Sequence, residues 1–205
     1  MSFHLYIFVT LAYSSTVIQD VLCDRQATSS FVVAYFYFDF SDDKKQHLDN
    51  ALRSLIKQLS VQCGGPCHPL DTLYSEHQNG QQQPTIGALK KVLRDILGMF
   101  QDVFIILDAL DECIERQALL EWIIDVVDQN LDNLHLLVTS RKEKDIEDCL
   151  ASCVSSEVNI QSTAVDPDIQ VYVREQLSSN PKLKKWSMKV REEIEAVLMH
   201  GAHGM

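Results

Sequence analysis

Apolar residues along this chain follow two alternating rhythms. Residues 31–38, Phe-Val-Val-Ala-Tyr-Phe-Tyr-Phe, form an unbroken β-branched and aromatic run that stops at Asp39 and the Ser41-Asp42-Asp43 cluster. Strands buried on both faces read this way. From Leu48 the rhythm changes. Leu48, Ala51, Leu52, Leu55, Ile56 and Leu59 recur at helical spacing, which predicts a helix with one apolar face. Asp43 with Gln46 reads as a capping box ahead of it. Residues 63–84 read as a loop, marked by Gly64-Gly65-Pro66 and by the polar run from Asn79 to Pro84. A second amphipathic helix is predicted over 85–100, carried by Ile86, Leu89, Leu93, Ile96, Leu97 and Phe100. A buried strand at 103–107, a helix over 115–130, a strand at 134–139, a charged helix at 143–151 and a short strand near 157–161 follow.

The pattern then loses its strands. Asp166-Pro167 is a strong helix start, with Ile169, Tyr172, Val173 and Leu177 sharing a face. Ser187 is placed to cap a last helix bearing Val190, Ile194, Val197 and Leu198. Strands alternating with helices, then helices alone, predict an α/β parallel sheet with flanking helices, followed by the start of a helical subdomain. The first residues, Met-Ser-Phe-His-Leu-Tyr-Ile-Phe-Val, resemble a secretory signal in apolarity, yet no Lys or Arg precedes Arg25. The run is also too short to span a bilayer. Its β-forming residues suit a buried strand over 3–9 instead.

Composition narrows the function. In 205 residues, 18 Lys and Arg stand against 29 Asp and Glu, a formal charge of −11. Nucleic acid and anionic membranes repel such a chain, so neither is expected as a partner. Six cysteines scattered through helices and strand ends suggest reduced thiols and a cytoplasmic protein. The Cys63–Cys67–His68 run offers at most three soft ligands, one short of a tetrahedral zinc site, and reads as a turn.

The segment that carries chemistry is Val-Phe-Ile-Ile-Leu-Asp-Ala-Leu-Asp-Glu, residues 103–112. It delivers Asp108 to the carboxyl end of a buried strand, where open α/β sheets bind ligands. Asp111 and Glu112 follow, and three carboxylates so close call for a cation or for solvent. This matches a Walker B strand, with Asp108 toward Mg²⁺; the alternative is a solvated acidic helix start. Thr139, Ser140 and Arg141 end another buried strand. A guanidinium there suits a terminal phosphate; alternatively it pairs with Glu143 or Asp145.

With these segments in hand, the chain resembles the NACHT domains of fungal NLR-like proteins, the nephrocystin-like N-terminal type, which are STAND P-loop ATPases. The resemblance spans residues 14–205 and rests on several stretches in order, among them 14–22, 33–42, 48–59, 103–113, 133–141 and 166–177. It implies a core over 14–162 and a helical subdomain starting over 163–205, with 1–13 an atypical segment in place of the usual strand and P-loop. It implies ATP or ADP with Mg²⁺ as cofactors. Asp111 and Glu112 would be the catalytic acids that position water, Asp108 the metal-side acid, and Thr139, Ser140 and Arg141 would line the nucleotide. The parent activity is a nucleotide-dependent signalling switch, whose partners would be other NACHT proteins or a second copy.

Two departures qualify that expectation. The family's G-x-x-x-x-G-K-[ST] should lie just ahead of Ser14-Ser15-Thr16, with its lysine at Thr10 and its hydroxyl residue at Leu11. No Gly or Lys occurs anywhere in residues 1–22, so the backbone cradle for phosphates is missing. The family pattern also continues beyond Gly204-Met205, so the resemblance implies an incomplete core with lost or weak ATP binding.

Overall fold

A computed structural model describes residues 4–9, 31–129, 131–151, 153, 156–159, 165–180 and 182–202. Its contacts divide the chain into two units, residues 1–158 and 159–205.

The first unit is built on a sheet whose strands are β1 (His4–Val9), β2 (Val32–Tyr37), β3 (Val103–Asp108), β4 (Leu134–Thr139) and β5 (Ser156–Asn159), in the order β2-β3-β4-β1-β5. The pairs β2–β3, β3–β4 and β4–β1 are all parallel. The expected neighbours 103–107 and 134–139 therefore lie side by side. The apolar N-terminal run fills an interior slot between β4 and β5. The stretch 14–22, part of the family resemblance, lies outside the described residues.

The helices are α1 (Leu48–Ser60), α2 (His68–Glu76), α3 (Ile86–Leu97), α4 (Arg116–Asp128) and α5 (Lys144–Leu150). All six apolar residues named for α1 are buried, and the α1 stripe packs with α3 and with one face of the sheet in a single core that includes Leu52, Leu93, Ile105 and Leu136. Thr85 caps α3 by accepting from Ala88 N at 3.2 Å.

The structure corrects two local expectations. Residues 63–84 are not all loop, because α2 occupies 68–76. Pro69 sits in its first turn, which proline favours, but only Leu73 is buried, too little apolar signal to betray a helix by periodicity. The capping box also fails. Asp42, not Asp43, accepts from Lys44 N at 3.1 Å and starts a short 3-10 turn over Asp43–Lys45. The α-helix begins only at Leu48, behind His47, whose side chain makes no cap bond.

One feature of α1 has no periodic signature. β2 is an edge strand, and its outer main-chain groups need partners. Gln58 accepts from Tyr35 N at 3.1 Å and donates to Tyr35 O at 2.7 Å. One turn later Gln62 does the same for Val33, at 3.3 and 2.9 Å. Two glutamines spaced i, i+4 thus line one edge of the sheet with side-chain amides, which carry a donor and an acceptor like a neighbouring strand.

The second unit contains α6 (Val165–Ser179) and α7 (Met188–Ala202). Ser187 Oγ accepts from Val190 N at 3.4 Å, the cap expected of it. Glu195 of α7 ties the pair together by accepting from Arg174 Nε and Gln170 Nε2, each at 2.8 Å. Among the described residues no helix is long and apolar enough to cross a membrane.

The edge glutamines are directly testable. Gln58→Ala strands a main-chain donor and acceptor and is expected to lower stability by about 1–3 kcal/mol and to raise the tendency to aggregate through β2. Urea denaturation with light scattering checks both; a variant as stable and as monodisperse as the parent would contradict the role.

Candidate functional site

The site is built at the carboxyl ends of β3, β4 and β1. Asp108 closes β3 and is 6% exposed. Thr139, the last residue of β4, donates its hydroxyl to Asp108 Oδ1 and accepts from Ala109 N at 3.0 Å. On the other side Tyr37 stands in register with Asp108. Burial, then the neighbouring Tyr35 and Asp108, push its hydroxyl pKa upward. Phe8 of β1 is in register with Thr139. The carboxyl end of β1 therefore lies beside Thr139, which is bonded to Asp108.

The chain turns sharply after β3. Ala109 adopts φ 58°, ψ 54°, the left-handed region, which costs a residue with a Cβ about 1–2 kcal/mol. The sharp turn throws Asp111 and Glu112 back over the sheet edge in a short 3-10 turn, Leu110–Glu112. Their side chains are only 6% and 10% exposed. Asp111 Oδ1 accepts from Arg141 N at 3.0 Å and from the Ser140 hydroxyl at 3.3 Å. Glu112 Oε2 accepts from Phe40 N at 2.8 Å. The Arg141 guanidinium lies 3.6 Å from Asp111 and 3.5 Å from Glu112. The alternative partner Asp145 is taken by Arg116, at 3.1 Å, and Arg116 also donates to Asp111 O at 2.6 Å.

The three acids therefore do not act as one group. Asp108 is bonded to Thr139, and the other two face Arg141 and main-chain donors. Among the described residues no set of three or more His, Cys, Asp or Glu gathers as a metal ion requires. The sequence after β1 carries no glycine or lysine before Lys44.

Further lacing fixes the turn, and none of it was visible in the sequence. Ile114 N donates to Gln46 O at 3.0 Å, and Gln46 Nε2 donates to Phe40 O at 2.7 Å. His47 Nδ1 lies 2.7 Å from Glu115 Oε1, while Glu115 Oε2 accepts from Leu48 N at 3.2 Å. The hydrogen bond to Glu115, then its charge, raises the His47 pKa above the ordinary 6.5. Burial works to raise the Glu115 pKa, but the bonds from His47 and Leu48 outweigh it, and the net shift is below the ordinary 4.5. The cysteines resolved here are free thiols. Burial first, then the neighbouring Cys67, pushes Cys63 up to about 11, and burial pushes Cys113 up to about 11, which leaves both protonated and poorly reactive.

A parallel sheet with an acid at the end of one strand, a hydroxyl at the end of the next and helices around it defines a P-loop NTPase-like fold. The family model described as Nephrocystin 3, N-terminal matches residues 12–141, and the chain belongs to that family. The structure of the Aeropyrum pernix ORC1 protein in complex with DNA matches at a TM-score of 0.51 and 13% identity, over 94% of this chain and 44% of that one. The chain thus spans less than half the length of that neighbour. The Clostridium perfringens cbiO1 structure, part of the ABC transporter complex cbiONQ, matches at a TM-score of 0.40 and 10% identity, covering 94% of this chain and 87% of that one. No curated protein matches significantly.

Two measurements test this geometry. Ala109→Gly loses a buried methyl, about 0.8 kcal/mol, but relieves about 1 kcal/mol of left-handed strain, so its melting point is expected to stay level. Ala51→Gly in helix α1 loses a similar methyl plus about 1 kcal/mol of helix propensity and is expected to melt clearly lower. Equal losses at both positions would contradict the turn.

For the second, a raised histidine pKa contributes stability that is complete below 6.5 and fades as pH rises through the raised value. The lowered Glu115 pKa contributes stability that is complete above 4.5 and fades as pH falls through the lowered value. The pair is therefore firmest in mildly acid solution. The His47 ring, followed by NMR, is expected to titrate above 6.5 and to fall in Glu115→Gln, with Asp43 and Asp49 still raising it; an unchanged midpoint would rule out the contact.

Proposed function

We propose that this chain is an NTPase-fold signalling module of the NACHT type in which nucleotide binding is lost or weak. The observation that supports it most is the register of β1. β1 ends beside Thr139, which is bonded to Asp108, and the sequence that follows β1, where the family pattern has its phosphate-binding loop, contains no Gly or Lys until Lys44. Each charge-assisted hydrogen bond to phosphate contributes about 1.5–3 kcal/mol. A cradle missing its lysine and several main-chain donors drops from micromolar affinity, about −8.2 kcal/mol, to millimolar or weaker, about −4.1 kcal/mol.

On this reading Asp108, Thr139, Ser140 and Arg141 are the remnant of a nucleotide site, with Asp108 its metal-side acid and Asp111 and Glu112 its former catalytic acids. The DNA named for the ORC1 structure does not carry over, since a formal charge of −11 opposes phosphate binding.

A second reading, pairing with a full-length relative or with a second copy, draws on the second unit. Tyr172, Trp186, Met188, Val197 and Leu198 are all at least half exposed there, and apolar side chains in that number favour association.

Isothermal titration with Mg-ATP and Mg-ADP tests the first reading. No saturable heat below about 1 mM is expected, and Asp108→Asn is expected to change nothing, whereas a low-micromolar dissociation constant for the unmutated chain would overturn it.

A further inference from the structure

We infer that Asp111 and Glu112 form a two-armed clasp that closes the carboxyl edge of the sheet upon itself and holds it without nucleotide or metal. The inference rests on the reading of a lost or weak nucleotide site and assigns its acids a different task.

The topology sets up the clasp. β3 lies between β2 and β4, so a turn at the end of β3 is flanked by the ends of both neighbours. The left-handed Ala109 brings that turn back across the edge. Adjacent side chains on a tight turn then diverge. Asp111 reaches the β4 end, accepting from Arg141 N at 3.0 Å and from Ser140 Oγ at 3.3 Å. Glu112 reaches the segment after β2, accepting from Phe40 N at 2.8 Å. Each arm is a nearly buried carboxylate on a main-chain N–H of a different strand connection. The two like charges share one guanidinium, that of Arg141, at 3.6 and 3.5 Å.

The weight of the clasp lies in the arms rather than in the shared cation. Arg141 is 58% exposed, so solvent and salt screen its ion pairs. The two main-chain bonds are made by carboxylates withdrawn from water, where losing the acceptor leaves a donor unsatisfied. The arrangement has a functional consequence. An acid that positions water for attack on a phosphate needs a free oxygen lobe facing the nucleotide. Here one oxygen of each acid is held by a main-chain N–H, and the other faces the arginine suited to a terminal phosphate. On this inference the acids of a former phosphate site serve the closed edge instead.

Amide hydrogen exchange of the full chain, resolved by NMR, tests the clasp. In the unmutated protein the Phe40 and Arg141 amides, both in exposed connections, are expected to exchange at least tenfold more slowly than free amides. Glu112→Met is expected to release Phe40 while leaving Arg141 protected, and Asp111→Ala is expected to do the reverse. Arg141→Met removes the guanidinium but keeps the main-chain N–H, and both amides are expected to stay protected. Should a variant fail to fold, the unmutated chain still decides, because fast exchange at both amides would overturn the clasp. Loss of both protections in either acid variant, without global unfolding, would also overturn two independent arms. Repeating the exchange with Mg-ADP separates the two readings. Unprotected amides with no nucleotide effect remove the clasp alone, whereas nucleotide-dependent protection removes the reading of a lost site.

Discussion

Everything at this site depends on how the chain turns after β3. A strand buried on both faces has no freedom at its end, and Asp108 is delivered into the protein interior. The next residue takes a left-handed conformation, so the following acids point back over the edge instead of out to water. From that one turn come the bonds to Phe40 and Arg141, the Ile114–Gln46 link and the Glu115–His47 pair. Strain at one residue is sustained by the several contacts it permits.

The same constraint separates the three acids chemically. Asp108 belongs to the sheet and shares its environment with Thr139 and Tyr37. Asp111 and Glu112 belong to the turn and to the strand connections beside it. An intact P-loop NTPase would gather such groups around a metal and phosphates, which supply the charge that holds them together. Here hydrogen-bond donors from the protein do so for Asp111 and Glu112, and the sequence after β1 has no glycine or lysine before Lys44.

Much of the architecture was legible because it is written in periodicity. The unbroken apolar runs at 31–38, 103–107 and 134–139 became adjacent parallel strands, and the 3.6-period stripe from Leu48 to Leu59 became a wholly buried face. Even the β-rich start found its slot, because an apolar run of β-formers has few other stable places to go. The positions of Asp108 and Thr139 at strand ends followed from the same runs. What stayed hidden was whatever depends on partners far along the chain. Gln58 and Gln62 look like ordinary polar positions until β2 lies beside them. His47 and Glu115 are 68 residues apart. Helix α2 buries only Leu73, so no stripe announces it. The divergence of Asp111 and Glu112 depends on Ala109, and alanine gives no sign of a left-handed turn where glycine would have done so.

The most direct test of a self-contained edge is the amide NMR spectrum of the chain titrated with Mg-ATP. The resonances of Phe40, Ala109, Leu110 and Arg141 surround both the Asp108–Thr139 pair and the acids of the turn. They are expected to keep their positions up to millimolar nucleotide. A saturable shift confined to these four would show that phosphate still enters the edge, and would contradict the account.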